Sequence, residues 1–258
     1  MNNSPICVCD LAKAFYDESR GEVRAVDGIS FDCRPGEIFG LLGANGAGKT
    51  TTLRVLATIL KPTSGSASVM GHDTANEPEA VRRSLGFYSS TTALYPRLTA
   101  RETLEFFARI NGYPEARVRD RVDRLVARFG IGEYAGARVD KLSQGMKQKV
   151  SIARTVVHDP PVLIFDEPTV GLDVLNAIEM QKVIAEFRAE GKAILFSTHI
   201  MSEAEKLCDR IAIIHRGKIH ACDTLANLRT ATGQHYLEHI FVHYAEQANA
   251  QSRPAAQR

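Results

Sequence analysis

Two stretches of this 258-residue chain carry residues whose types and spacing suit phosphate chemistry. Gly43-Ala44-Asn45-Gly46-Ala47-Gly48-Lys49-Thr50, followed by Thr51, fits the pattern of a glycine, four residues and then Gly-Lys-Thr. Glycines let successive backbone N–H groups converge on phosphate oxygens, and a helix starting there adds the partial positive charge of its N-terminus. In such a loop Lys49 would reach the β- and γ-phosphates of a nucleotide, and the Thr50 hydroxyl would hold Mg²⁺. The second stretch, Val162-Leu163-Ile164-Phe165-Asp166-Glu167, is an apolar run ending in two adjacent carboxylates. Neighbouring strand residues point to opposite sides, so the two acids can do different work. Asp166 would bind the magnesium ion, directly or through water, and Glu167 would polarise an attacking water.

These groups need a scaffold, and the hydrophobic pattern supplies one. Ile38 to Leu42 is a continuous apolar run ahead of the glycines, as in a strand buried on both faces. The same signal returns at Val162–Phe165, Ala193–Phe196 and Ile211–Ile214, with helical stretches between, which predicts a mostly parallel sheet. Before it, alternation around Ile6 and Val8, Val23 and Val26, and Ile29 and Phe31 predicts half-buried antiparallel strands. A helix from Lys49, with Leu53, Leu56 and Leu60 inward, is expected to end near Lys61-Pro62, because proline disfavours helix in the residue before it. Residues 99 to 129 read as helical, Val118, Val122, Leu125, Val126 and Phe129 recurring at three- and four-residue spacing. Arg216-Gly217 predicts a hairpin into residues 218 to 222, and the last eight residues, without apolar period, are expected to fray.

Composition narrows the classes. With 44% hydrophobic and 24% charged residues the chain is globular, and a net charge of +2 leaves too little field to bind nucleic acid or anionic lipid unaided. No apolar run approaches the roughly 18 to 20 residues needed to cross a bilayer, and the first ten residues lack the character of a signal peptide, so a cytoplasmic location is expected. Five scattered cysteines (Cys7, Cys9, Cys33, Cys208, Cys222) argue for free thiols. Cys7 and Cys9 share a strand face without a second pair nearby, so plain thiols are favoured over a metal site. His235, His239 and His243 recur every four residues beside Leu237, Ile240 and Phe241, which favours a docking helix over a zinc site. Arg117, Arg119, Arg121 and Arg124 alternate with Asp120 and Asp123 and read as a solvated helix face.

Leu142-Ser143-Gln144-Gly145-Met146-Lys147-Gln148-Lys149 resembles the signature sequence of ATP-binding-cassette (ABC) ATPases, and it precedes Asp166-Glu167-Pro168-Thr169-Val170-Gly171-Leu172-Asp173 at that family's spacing. His199 looks like its switch histidine, and Phe15 lies where the family stacks an aromatic on adenine. The resemblance covers roughly residues 4 to 225. It implies an α/β fold, a P-loop NTPase core with mostly parallel sheet, an N-terminal antiparallel β subdomain and an inserted helical subdomain. The implied division is one ABC ATPase domain over 1–258: a core of about 4–98 and 155–225, a helical part of about 99–154, and a C-terminal helix and tail, 226–258.

The resemblance also implies ATP and Mg²⁺ as ligands and a head-to-tail dimer of identical or different cassettes, each ATP lying between one phosphate loop and the other copy's signature. Ser143, Gln144 and Gly145 would meet the γ-phosphate in trans, Asp173 would cross to the opposite subunit, and His199 would bond the γ-phosphate. Taken alone, Ser143 reads as a helix N-cap and His199 as a satisfied polar residue. The family's glutamine that links Mg²⁺ and water to the membrane subunit aligns with Ser90, whose side chain is too short for that gap. A bridging water, Thr91 or Thr92 would substitute, or the coupling is altered. Gln144 and Met146 stand where the commonest signature has Gly and Gln, a variation resembling export-type cassettes. Residues 86–107, the Pro168–Asp173 element and Tyr236–Phe241 resemble the branch of sodium-extrusion ATP-binding subunits, with drug-export cassettes close behind. The function implied is an ATPase subunit at the cytoplasmic face of the cell membrane, docked through Leu94 or Tyr95 on a separate transmembrane permease. The alternatives are a soluble cassette acting in DNA repair or translation, which the near-neutral charge disfavours, and a small-molecule phosphotransferase, which would lack the signature.

Overall fold

The computed structural model describes residues 4–19, 21–89 and 92–251. The expected fraying at the C-terminus and the aligned Ser90 and Thr91 lie outside the described residues. The chain opens with two long strands, β1 (Ile6–Asp17) and β2 (Gly21–Cys33), joined antiparallel. Both bury alternate apolar residues, Ile6 and Val8 on one, where a register shift carries the pattern on to Leu11, and Ile29, Phe31 and Cys33 on the other. β3 (Ile38–Leu42) follows, then α1 (Lys49–Leu56), β4 (Ser64–Val69), β5 (His72–Asp73), α2 (Pro78–Ser84) and β6 (Leu85–Ser89).

α1 ends earlier than the Lys61-Pro62 stop predicts. Thr58 turns to φ +60°, and the Ile59 and Leu60 N–H groups both fold back onto the Arg54 carbonyl, closing the helix six residues before the proline. Leu53 and Leu56 are fully buried, and Leu60 packs partly buried from the turn instead of from a helix. The helical reading over 99–129 also divides: α3 (Ala100–Ile110) and α4 (Glu115–Arg128) are separated by Asn111-Gly112-Tyr113-Pro114. Thr99 and Glu102 form a reciprocal capping box at the start of α3, and the predicted stripe of α4 is buried throughout.

α5 (Gln144–Thr155) leads to β7 (Val162–Asp166), α6 (Val174–Ala189), β8 (Ala193–Thr198), α7 (Met201–Leu207), β9 (Arg210–His215), β10 (Lys218–Asp223), α8 (Leu225–Thr232) and α9 (Leu237–Gln251). Two sheets result. β2-β1-β4-β5 is antiparallel, and β10-β9-β3-β8-β7-β6 is parallel except for the hairpin strand β10, so the expected fold class is borne out. β3, β7 and β8 are buried along their whole length, as strands covered on both faces must be.

Three apolar clusters hold these layers. One joins α3, α4, α5 and α6 to one face of the parallel sheet; the second lies between the two sheets and around α1; the third seats α8 and α9 against β9. Leu237, Ile240 and Phe241 belong to the third, so α9 docks on its own chain. Arg121 departs from the solvated face predicted for α4: its guanidinium reaches the carbonyls of Val156 and Val157 and the Asp159 carboxylate. Among the described residues no helix is long and apolar enough to cross a membrane.

Candidate functional site

The carboxyl ends of β3, β7 and β8 lie side by side, and register decides what meets there. Leu42 pairs with Thr198, and Asp166 pairs with Ser197, so the glycine loop, the two acids and the segment leading to His199 issue from adjacent strand ends. The loop needs its glycines for space as well as for conformation. A Cβ on Gly43 would lie 2.5 Å from the Ile214 carbonyl oxygen, and one on Gly48, at φ +109°, 2.5 Å from that of Ala25. Gly43 N–H donates to Thr198 O and Ala47 N–H to Ala44 O, so strand and turn fix the loop before α1 begins at Lys49. Ala44, Asn45 and Gly46 are exposed at its crest, whereas Lys49 is buried and Thr50 and Thr51 are half-buried.

The buried Lys49 ammonium donates to Gly43 O at 2.7 Å and Ala44 O at 3.2 Å, and lies 3.2 Å from Glu167 Oε1. The same carboxylate oxygen is 3.1 Å from His199 Nδ1. Burial pushes the Glu167 carboxyl up, but the hydrogen bonds and charges of His199 and Lys49 outweigh it and hold the group below the usual carboxylate range. The Glu167 backbone sits at φ +48°, left-handed for a non-glycine residue, and its N–H is accepted by Ser197 O and Oγ, both at 3.2 Å. Asp166 Oδ1 accepts from Thr50 Oγ1 at 3.2 Å and from Ser197 Oγ at 2.7 Å. A hydroxyl beside a buried carboxylate is the hard-oxygen donor pair that Mg²⁺ takes when phosphate and water supply its remaining ligands. Thr50 and Asp166 therefore fit the ion.

Phe15 is 42% exposed on β1, with the Lys13 ammonium 5.1 Å from its ring centre. It pairs with Val23, two residues from the Ala25 that abuts Gly48, so its strand runs past the loop. The signature residues lie elsewhere. Ser143 caps α5, its hydroxyl accepting from Met146 N–H at 3.3 Å, and Ser143 and Gln144 are exposed while Gly145 is half-buried. Asp173 caps α6 through Asn176 N–H at 3.0 Å and is also exposed. The structure thus brings together Lys49, Thr50, Asp166, Glu167 and His199, and holds Ser143, Gln144 and Asp173 exposed at helix starts, with Gly145 half-buried beside them.

Sequence reasoning missed Ser197, which bonds both acids, and Gln148, whose side-chain amide donates to Pro168 O. The signal for Ser197 was present: hydroxyls closing an apolar strand that neighbours the strand of the acids. Arg154, also missed, is buried, with its guanidinium 5.0 Å from the Phe107 ring centre and donating to Ala93 O. Phe107 and Phe106 pack with Tyr95, which is 53% exposed, whereas Leu94 is half-buried. Among the described residues no cluster of three or more His, Cys, Asp or Glu is placed to hold a metal ion, and His235, His239 and His243 are not gathered into one.

Known proteins resemble this chain along most of its length. A family profile described as "ABC transporter" matches residues 26–170. The ABC transporter ATP-binding protein NatA of Bacillus subtilis (strain 168) is 40% identical over 238 residues, which is 92% of this chain and 96% of that protein. The Nod factor export ATP-binding protein I of Paraburkholderia xenovorans (strain LB400) is 43% identical over 201 residues, 78% of this chain and 66% of that protein. A solved "ATP binding subunit of ABC transporter" superposes with a TM-score of 0.84 at 33% identity, covering 93% of this chain and 99% of its own. The chain belongs to the ABC transporter family, as an ATP-binding cassette of its ATPase part, and the expected likeness to export-type cassettes is borne out.

Proposed function

We propose that this ABC cassette hydrolyses ATP as the motor of a membrane exporter, working in pairs at the cytoplasmic face and driving efflux of a sodium ion or drug-like solute through a separate transmembrane permease. The observation that carries the hydrolytic reading is the single Glu167 oxygen shared between the buried Lys49 ammonium and His199, beside the Thr50–Asp166 pair. Phosphate oxygens entering the loop compete with Glu167 for Lys49. As that bond is given up, one of the two contacts holding the carboxyl low is lost and Glu167 becomes a stronger base. It then accepts a proton from the attacking water, while His199 keeps the carboxylate oriented or turns its imidazole to the γ-phosphate. Bound Mg²⁺ would neutralise charge on the β- and γ-phosphate oxygens.

Pairing is supported by the second group of residues. Ser143 and Gln144 stand exposed, with Gly145 half-buried beside them, at the N-terminus of a 12-residue helix, whose partial positive charge suits a phosphate brought by a second copy. Val174, Leu175 and Ile178, exposed beside Asp173, add apolar surface for the same contact. The exposed aromatic ring of Tyr95 over Phe106 and Phe107 is a seat for a permease segment. The names of the relatives, one of them an export protein, support the direction of transport.

Glu167→Gln tests the hydrolytic reading. The variant is expected to bind ATP with parental affinity and to lose turnover by about a hundredfold or more, the scale of a general base, in a phosphate-release assay. Turnover within twofold of the parent would remove Glu167 from that role.

A further inference from the structure

The helix that carries the signature is fastened to the segment that carries the hydrolytic acids. We infer that Gln148 is a positioning residue for Glu167, passing the state of the phosphate gripped in trans by α5 to the carboxylate of its own chain. The inference rests on the proposed grip of Ser143 and Gly145 on a second copy's ATP, and it concerns what that grip does inside the chain that makes it.

Gln148 lies three residues after Gly145 and four after Gln144, so it shares their side of α5. It is buried, and its side-chain amide donates to the Pro168 carbonyl, one peptide group beyond the one that joins Glu167 to Pro168. Pro168 has no N–H, so this carbonyl is the backbone handle the turn offers there. The turn itself needs holding. Glu167 is left-handed at φ +48°, a conformation that a non-glycine residue keeps only when its surroundings over-determine it. Ser197 fixes the Glu167 N–H on one side, and the Val170 N–H approaches the Glu167 carbonyl at 3.4 Å. Gln148 is the contact from α5.

Two further contacts make α5 and residues 167–179 move together. Lys149 Nζ pairs with Glu179 on α6 at 2.8 Å, and Gly145 lies against Asn176, where an added Cβ would come 3.4 Å from its Nδ2. Asn176 is also the partner of Asp173. A pull on the α5 N-terminus therefore reaches Pro168, Asn176 and Glu179 at once, and through Pro168 it reaches the angle at which Glu167 meets water. Small displacements of such a group are costly in rate, because attack requires aligned atoms within about 3–3.5 Å.

The test is steady-state ATP hydrolysis by the full chain, comparing the parent with Gln148→Met, which keeps length and bulk but cannot donate, and Gln148→Glu, which keeps shape and presents an acceptor. Glu167→Gln is run alongside, with ATP affinity and melting temperature measured for each. The expected result for both Gln148 variants is a kcat lowered about tenfold or more, a KM for ATP within about twofold, and a Hill coefficient falling toward one. If one variant fails to fold, the other carries the same criteria. Parental kcat and cooperativity in a folded Gln148 variant would overturn the inference, as would a parallel loss of affinity, rate and melting temperature, which marks Gln148 as packing alone. An active Glu167→Gln would instead strike the hydrolytic reading itself, so the two failures are told apart.

Discussion

The phosphate loop and the signature helix both begin at a helix N-terminus, yet they are finished to different degrees. Beneath the loop the space is filled by its own chain, Ile214 and Ala25 walling off Gly43 and Gly48 and Lys49 buried among two carbonyls and a carboxylate, while Ala44, Asn45 and Gly46 stay exposed at the crest. At the start of α5, Ser143 and Gln144 face outward from a helix whose other end is packed into the core at Ile152, Ala153 and Arg154. One half-site gathers Lys49, Thr50, Asp166, Glu167 and His199 within a single molecule, and the other leaves Ser143 and Gln144 exposed at a helix start. On the proposed pairing, nucleotide capture would belong to one cassette and catalysis to two, with Glu167 tied to both halves through Lys49 and, by the Gln148–Pro168 contact, to α5.

That contrast can be broken most sharply at Lys49. Lys49→Ala removes its charge-assisted contact with phosphate, worth about 1.5–3 kcal/mol, so ATP affinity should fall roughly ten- to 150-fold in a direct titration. An unchanged affinity would show that the loop does not hold the phosphates. Gly145→Asp tests the other half. An acidic side chain in the first turn of α5 suits the helix dipole and has room beside Asn176, so the fold should survive while a carboxylate confronts the incoming phosphate. Single-site ATP binding should stay within about twofold while hydrolysis falls by about tenfold or more; affinity lost in step with rate would erase the distinction between the halves.

The smallest effect concerns the anchored end of the signature helix. His158, three residues past α5, bonds Leu85 O at 3.2 Å at the start of β6, and burial pushes its pKa down to about 4. Between that value and the ordinary 6.5 the unfolded chain binds the extra proton, so stability drops as pH falls through this window and is unaffected by this group above it. Urea midpoints for His158→Gln should lose that acid slope, at most about 1.4 kcal/mol per pH unit. A slope unchanged by the substitution would mean His158 is not the group responsible.

The two halves were also unequally legible. Gly43 to Thr50 and Asp166-Glu167 could be read because their chemistry is written in consecutive residues at strand ends, and apolar runs mark those strands. Ser143, Asp173 and His199 acquired roles only through the family resemblance, because a serine N-cap and a surface histidine carry no local sign of a phosphate beyond the chain. Ser197 and Gln148 escaped notice because their partners, Asp166 and Pro168, are set by strand register and packing and not by spacing. α1 stopped short of its proline because a left-handed Thr58 satisfies the last carbonyls sooner, a choice of backbone conformation that side-chain pattern does not encode.

The claim on which the rest depends is that ATP draws two cassettes together, and sedimentation of Glu167→Gln with ATP and Mg²⁺ measures it most directly. The account predicts a species of twice the monomer mass with ATP, returning to monomer when ADP replaces it. A variant that holds ATP yet stays at monomer mass at every protein concentration would contradict it.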